Sequence, residues 1–130
     1  MVCLETDFLV SFIRQKADAV EKMKSVVGLG KELCITPITA TELFVGAFAS
    51  RQPRDFDKLE ELLSTFRVLE FDLAAAKTAG RILFELSKKG AAIGDMDSIT
   101  AAIAIRHNHC LITRNKKHFS RISSLKTESW

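Results

Sequence analysis

Five carboxylates, Glu5, Asp7, Glu42, Asp95 and Asp97, stand beside short apolar runs of this 130-residue chain, and together they form a set of hard oxygen donors. Such a set suits a divalent cation of the Mg²⁺ or Mn²⁺ kind. The chemistry open to it is activation of a bound water and neutralisation of charge on a phosphodiester. Carboxylates crowded at one place raise one another's pKa unless a cation is present. Each acid alone has an ordinary structural use. Glu42 completes the capping pattern Thr39-Ala40-Thr41-Glu42, Asp95 is a good helix N-cap, and Asp97 complements the dipole at a helix N-terminus. Their joint placement carries the functional reading, and that placement depends on the elements around them.

Short apolar runs at 2–4, 33–36, 68–71 and 110–112 predict strands, with a last strand near 126–129. Between them lie helical patterns. Phe8, Leu9, Phe12 and Ile13 recur at helical spacing, and a second helix over 17–27 stops at Gly28-Leu29-Gly30. The capping pattern from Thr39 opens a helix through Leu43, Phe44 and Phe48. Pro53 starts another, with Leu59, Leu62, Leu63 and Phe66 on one side. Asp72 caps an Ala-rich helix that runs to about Gly90, and Gly94-Asp95-Met96-Asp97 introduces a helix over 98–106. Strands alternating with helices predict an α/β fold with a mainly parallel sheet in one domain, 1–130. In such sheets ligands gather beyond the carboxyl ends of the strands. That rule brings Glu5, Glu42 and Asp97 to one edge, with Asp7 and Asp95 two residues away.

Composition narrows the class. Hydrophobic residues make up 47% and charged residues 27%, enough for a core without disulfides and for an ordinary wetted surface. Cys3, Cys34 and Cys110 are odd in number, widely spaced and set in apolar runs, which predicts buried, reduced thiols in a cytoplasmic protein. No run is long enough to span a membrane, and no secretion signal is expected. The net charge of +3 divides unevenly. Residues 1–97 carry 13 basic against 15 acidic side chains, whereas 98–130 carry six basic against Glu128 alone. Within that segment Arg114, Lys116 and Lys117 follow a strand end, where they could meet a phosphate backbone. The string His107-Asn108-His109-Cys110 holds potential zinc ligands but lacks a second cluster at ligand spacing. No Gly-rich phosphate loop or Gly-x-Ser-x-Gly elbow is present. A response-regulator-like domain also gathers acids around Mg²⁺, but it wants a phosphorylatable Asp ending its third strand, where this chain has Glu70 and then the helix-capping Asp72.

Four segments in order carry a resemblance: Leu4-Glu5-Thr6-Asp7-Phe8-Leu9-Val10, Ile38-Thr39-Ala40-Thr41-Glu42-Leu43, Asp97-Ser98-Ile99-Thr100-Ala101-Ala102, and Leu111-Ile112-Thr113-Arg114-Asn115-Lys116-Lys117-His118-Phe119. Nearly end to end, the chain resembles the PIN-domain family, most of all the VapC toxins of toxin–antitoxin pairs. The resemblance implies a three-layer α/β/α fold with four to five strands and a Mg²⁺- or Mn²⁺-dependent endoribonuclease. It also implies an RNA substrate, a cognate antitoxin and a homodimer. It assigns the three principal acidic positions to Glu5, Glu42 and Asp97. The first of these is Asp in most such chains and Glu5 here, and a fourth acidic position falls on the neutral Asn115. Asp95 and Asp7 are the acids available to replace that charge, and Thr113 takes a hydroxyl position near the metal or its water. The homodimer is also suggested by the apolar load of Phe44, Phe48, Phe56, Leu59, Leu62 and Leu63, which marks an interface. The alternative is a PIN-like domain that binds RNA or a protein without cutting.

Overall fold

A computed structural model describes residues 1–130. The elements run β1 (Val2–Leu4), α1 (Thr6–Ile13), α2 (Ala17–Gly28), β2 (Leu33–Ile35), α3 (Pro37–Ser50), α4 (Pro53–Leu63), β3 (Arg67–Val68), α5 (Leu73–Lys88), α6 (Asp95–Arg106), β4 (Cys110–Ile112), α7 (Lys116–Phe119) and β5 (Thr127–Glu128). The strands form one sheet in the order β3-β2-β1-β4-β5, and every neighbouring pair is parallel. Helices cover both faces, so the expected three-layer α/β/α arrangement holds, with five strands. No helix is long and apolar enough to cross a membrane.

Three-residue strands suffice because both sides of each central strand are buried. Along β1, Val2 and Leu4 enter one core while Cys3 enters the other, and Ile35 and Cys34 divide in the same way on β2. The first core packs Phe8 and Leu9 of α1, Met23 and Val26 of α2, Leu43 of α3, and Leu59 and Leu63 of α4. The second packs Ala75, Ala79, Ile82 and Leu86 of α5 against Ala101–Ala104 of α6, with Phe119 behind them. The small side chains of α6 let it lie close on the sheet. Each large aliphatic or aromatic side chain so buried contributes about 1.5–3 kcal/mol relative to exposure.

Several local details differ from the sequence expectation. The helix expected to open at Thr39 begins at Pro37, and buried Thr36 is its N-cap, its Oγ1 accepting from the Thr39 N–H at 3.1 Å. Glu42 therefore lies in the second turn and closes no capping box. Proline at the first helical position explains the earlier start, since its fixed φ and missing N–H suit that site. Asp95 is likewise the first residue of α6 rather than its cap, which is Gly94 at φ 96°, a conformation open to glycine. The third strand is Arg67–Val68 rather than 68–71: the Leu69 N–H still donates to the Ile35 carbonyl at 2.9 Å, and the chain then departs to Asp72, whose carboxylate does cap α5 through the Ala75 N–H at 2.9 Å. Cys110 is half-buried rather than enclosed, and all three thiols are free. A short helix, α7, follows β4 and was not foreseen.

The reassigned cap has a measurable consequence. Thr36→Ala is expected to lower the unfolding free energy by about 1–2 kcal/mol, since it removes a cap and leaves a buried N–H unpaired. Glu42→Gln should change it by less than about 0.5 kcal/mol, as an exposed substitution outside any cap. Urea denaturation of both variants measures this, and an equal loss at the two positions would count against the assignment.

Candidate functional site

Parallel pairing sets the carboxyl ends of β1, β2 and β4 side by side, and the acids of interest follow from there. Glu5 is the residue after β1, where its N–H donates to the Ile112 carbonyl of β4 at 3.2 Å. Its side chain turns inward, only 8% exposed, and its Oε2 accepts from the Asp7 N–H at 3.4 Å as the cap of α1. Buried Thr113, just past β4, places Oγ1 3.2 Å from Glu5 Oε2 and 3.4 Å from Asp7 Oδ2. Asp7 spans the gap between strands, since its Oδ2 also accepts from the Arg114 N–H at 2.9 Å.

Asp97 reaches the same edge from the first turn of α6. Its Oδ2 lies 2.6 Å from His118 Nδ1 of α7, and Asn115 Nδ2 lies 3.2 Å from that nitrogen. A ring nitrogen carries one proton, so Nδ1–H donates to the nearer carboxylate and the Asn115 amide stands beside the pair. The Asn115 backbone N–H donates to Thr113 Oγ1 at 3.0 Å, so the residue whose amide stands beside the Asp97–His118 pair is also fixed to the Thr113 hydroxyl next to Glu5. Glu42 joins through Thr6, whose hydroxyl donates to Glu42 Oε1 at 2.9 Å. The three principal acids thus stand along one edge of the sheet, each with its own hydrogen-bond partners, yet their carboxylate oxygens do not all lie within 4.8 Å of one another. Asp95 stands exposed at the first residue of α6, with no ion pair.

The electrostatics of this edge are unbalanced. No Lys or Arg forms an ion pair with Glu5, Asp7, Glu42 or Asp95, and Asp97 has only His118. Burial pushes the Glu5 carboxyl from an ordinary value near 4.5 up to about 9, and the neighbouring Asp7 adds to the shift. A buried carboxylate that lacks a cation, beside other carboxylates and a hydroxyl, is a donor set that fits a hard divalent ion.

Two residues change standing. Arg114, expected at phosphates, is engaged within the chain. Its guanidinium meets Asp18 at 2.5 Å, hydrogen-bonds the Trp130 carbonyl and lies over the indole ring at 4.5 Å. Those contacts tie the turn after β4 to α2 and to the last residue, so the arginine braces the fold. Lys116 and Lys117 are exposed and form no ion pair. His118 had no role in the sequence reading. Its signal was its position three residues after Asn115, which becomes proximity only once the short helix α7 forms.

The model of the PIN domain family matches residues 2–125 of the chain. The chain is 33% identical over 128 residues to the tRNA(fMet)-specific endonuclease VapC of Shigella flexneri, covering 98% of this chain and 96% of that one. Its fold is similar to that of VapBC-1 from nontypeable Haemophilus influenzae, with a TM-score of 0.89 and 28% identity over 100% of this chain and 98% of the other. It is also similar to VapBC2 from Rickettsia felis bound to a DNA fragment from its promoter, with a TM-score of 0.87 and 28% identity over 100% and 99% of the two chains.

The site predicts how stability responds to pH. The folded state prefers Glu5 neutral, so the unfolded chain sheds that proton first as pH rises. Stability should fall between about pH 5 and pH 9 in the presence of EDTA. Glu5→Gln should flatten that decline and raise the thermal midpoint at pH 8 by roughly 4 °C or more, the shift that about 1 kcal/mol produces in a domain of this size. Scanning calorimetry of both proteins across this range checks the sign, and a steeper decline in the variant would refute it.

Proposed function

The chain belongs to the PIN-domain family, and we propose that it is a Mg²⁺- or Mn²⁺-dependent endoribonuclease, the toxin of a toxin–antitoxin pair acting in the cytoplasm. The observation that carries this reading is Glu5, a buried carboxyl group with no Lys or Arg ion pair, held to Asp7 through Thr113 and standing on the same edge of the sheet as Asp97. Family membership and the 33% identity to an endonuclease support it. Glu5 and Asp97 are the proposed metal ligands. Glu42 is a further ligand or the acid that orients the attacking water, and Asp7 and Asp95 are the acids that could make up the charge missing at Asn115. When bound, the ion lowers the pKa of a coordinated water and offsets charge on the phosphodiester.

The chain's own side chains would do the positioning. Thr113 Oγ1 sits between Glu5 and Asp7 and can hydrogen-bond whichever oxygen remains ionised. His118 fixes one oxygen of Asp97, leaving the other free to turn toward the edge. The Asn115 backbone N–H holds the Thr113 hydroxyl in place, a supporting contact that needs no charge at this position. Lys116 and Lys117, exposed beside Asn115 and His118, are the proposed contacts to the RNA backbone, where they would also weaken repulsion between phosphates and carboxylates. Arg114 is withdrawn from that set because its guanidinium is already engaged.

An antitoxin would need an apolar seat, and one is available. Val10, Ile13, Leu43, Ala47, Leu59 and Leu62 line an open groove of about 500 Å³ between α1, α3 and α4. Of the apolar residues behind the expected homodimer, Leu59 and Leu63 are spent on the chain's own core, whereas Phe48 remains 69% exposed and meets the Phe56 ring at a tilt of 41°. Phe48 with exposed Val45 is therefore the proposed self-contact. Light scattering should give twice the 14.5 kDa chain mass at tens of micromolar, and Phe48→Glu should return it to one.

Activity tests the central proposal. Purified protein should cleave RNA, with tRNA an apt first substrate, only when Mg²⁺ or Mn²⁺ is added. Asp97→Asn should lower the rate by at least about 100-fold, the upper end of what loss of an outer-shell metal contact costs. Lys116→Ala with Lys117→Ala should weaken RNA affinity and flatten its salt dependence by about 1.4–1.8 log units per decade of salt if both meet phosphates of a single strand or duplex. An inert wild type with both ions would favour the non-cutting alternative.

A further inference from the structure

The opposite, amino-terminal edge of the sheet carries a second group of metal-ligating side chains, unrelated to the acids above. Glu32 immediately precedes β2, Cys34 is the middle residue of β2, and His109 immediately precedes β4. Although β1 separates the two strands, the His109 ring reaches beneath it, and Nε2 lies 3.3 Å from Cys34 Sγ. One ligand atom from each of Glu32, Cys34 and His109 falls within 4.8 Å of the other two. Cys34 is fully buried and His109 is 4% exposed, while Glu32 is exposed and stands at the entrance.

The tautomer of His109 follows from its neighbours. Nδ1 lies 2.6 Å from the His107 carbonyl, which can only accept, so Nδ1 carries the proton. Nε2 therefore presents its lone pair to Cys34. This is the arrangement of a metal-binding imidazole, in which the distal N–H is held by a carbonyl and the free nitrogen is aimed at the ion. With no ion, the thiol proton fills the space between sulfur and nitrogen. A cation can replace that proton while both atoms keep their orientation.

We propose that Glu32, Cys34 and His109 form a binding site for a borderline divalent cation of the Zn²⁺ class, distinct from the acidic edge. Sulfur, imidazole nitrogen and one carboxylate oxygen are the donors that Zn²⁺ takes and Mg²⁺ avoids. One thiolate and one carboxylate bring two negative charges to a doubly charged ion, and the remaining positive charge, that of Arg67, sits at the exposed rim beside Glu32. Binding releases the Cys34 thiol proton to the solvent, one proton per ion. Arg67 Nη1 contacts Glu32 Oε1 at 3.3 Å and leaves Oε2 for the ion. Three protein ligands leave a fourth tetrahedral position for water. An ion there ties the start of β2 to the turn before β4 across β1, so it would act as a staple for the sheet.

Cobalt is the probe, because a thiolate bound to Co²⁺ produces a near-ultraviolet charge-transfer band that oxygen ligands do not. The full chain, with excess Mg²⁺ present to occupy the acidic edge, should develop that band on Co²⁺ titration and lose it to equimolar Zn²⁺. Calorimetry in buffers of different ionisation heat should show one proton released per ion. Cys34→Ala should abolish the band, while Cys110→Ser and Asp97→Asn should retain it. Glu32→Gln, an exposed change that spares the core, should weaken Co²⁺ binding about tenfold or more and decides the matter if Cys34→Ala fails to fold. No band at millimolar Co²⁺, a band that depends on Cys110, or unchanged affinity in Glu32→Gln would each overturn the site. The pair would then be only a buried thiol–imidazole hydrogen bond.

Discussion

Parallel pairing of strands only two or three residues long is the constraint on which the rest of the structure depends. A parallel strand cannot return by a tight hairpin, so consecutive strands must be joined by crossovers, and each crossover here contains at least one helix. All carboxyl ends then fall on one edge. The chain leaves that edge at Glu5, Thr36 and Thr113, and each of these residues directs its side chain into a hydrogen bond at the turn. The turn residues of a parallel sheet are thereby placed near one another although 108 positions separate Glu5 from Thr113. No comparable convergence would arise from a meander, in which successive turns alternate between edges.

The same geometry exacts a cost at Glu5. An inward-facing carboxyl beside Asp7 is a poor choice for stability, and the fold answers by favouring its neutral form. Such strain is tolerable because the two cores are extensive and the strands beneath are buried on both sides. The proposed metal site would need the opposite state, the ionised carboxylate, and a divalent cation is what would restore it. Under that proposal stability and chemistry compete for one proton, and the competition is confined to a single side chain at the end of the central strand.

Much of this was legible in the residues. The runs Val2-Cys3-Leu4, Leu33-Cys34-Ile35 and Cys110-Leu111-Ile112 are apolar on both faces because both faces are covered, and their brevity marks them as strands. Pro53, Asp72 and the glycines after α2 and α5 marked helix ends through local chemistry that acts within a few residues. What escaped depends on longer-range geometry. Thr36 and Thr39 are equally good caps by composition, and Pro37 between them decides in favour of the first. Arg114 looked free because its partners, Asp18 and Trp130, lie 96 and 16 positions away. His118 and the group of Glu32, Cys34 and His109 became visible only when α7 and the strand order were known.

The departures at Glu5 and Asn115 have a common reading in the hydrogen bonds of this edge. Thr113 has one hydroxyl proton and two carboxylate neighbours, Glu5 at 3.2 Å and Asp7 at 3.4 Å, so it can serve only one at a time. The longer arm of Glu5 lets its Oε2 reach both Thr113 and the N–H of Asp7, contacts that a shorter Asp would have to make from one bond further back. Asn115, being neutral, adds no further carboxyl group to an edge that already contains Glu5, Asp7 and Asp97, and its backbone N–H anchors Thr113 in place. A carboxylate at 115 would face Asp97 across His118 and contend for the same imidazole proton. The two departures are thus internally consistent: one carboxylate reaches further inward, and one position gives up its charge at an edge whose acids have no Lys or Arg ion-pair partner.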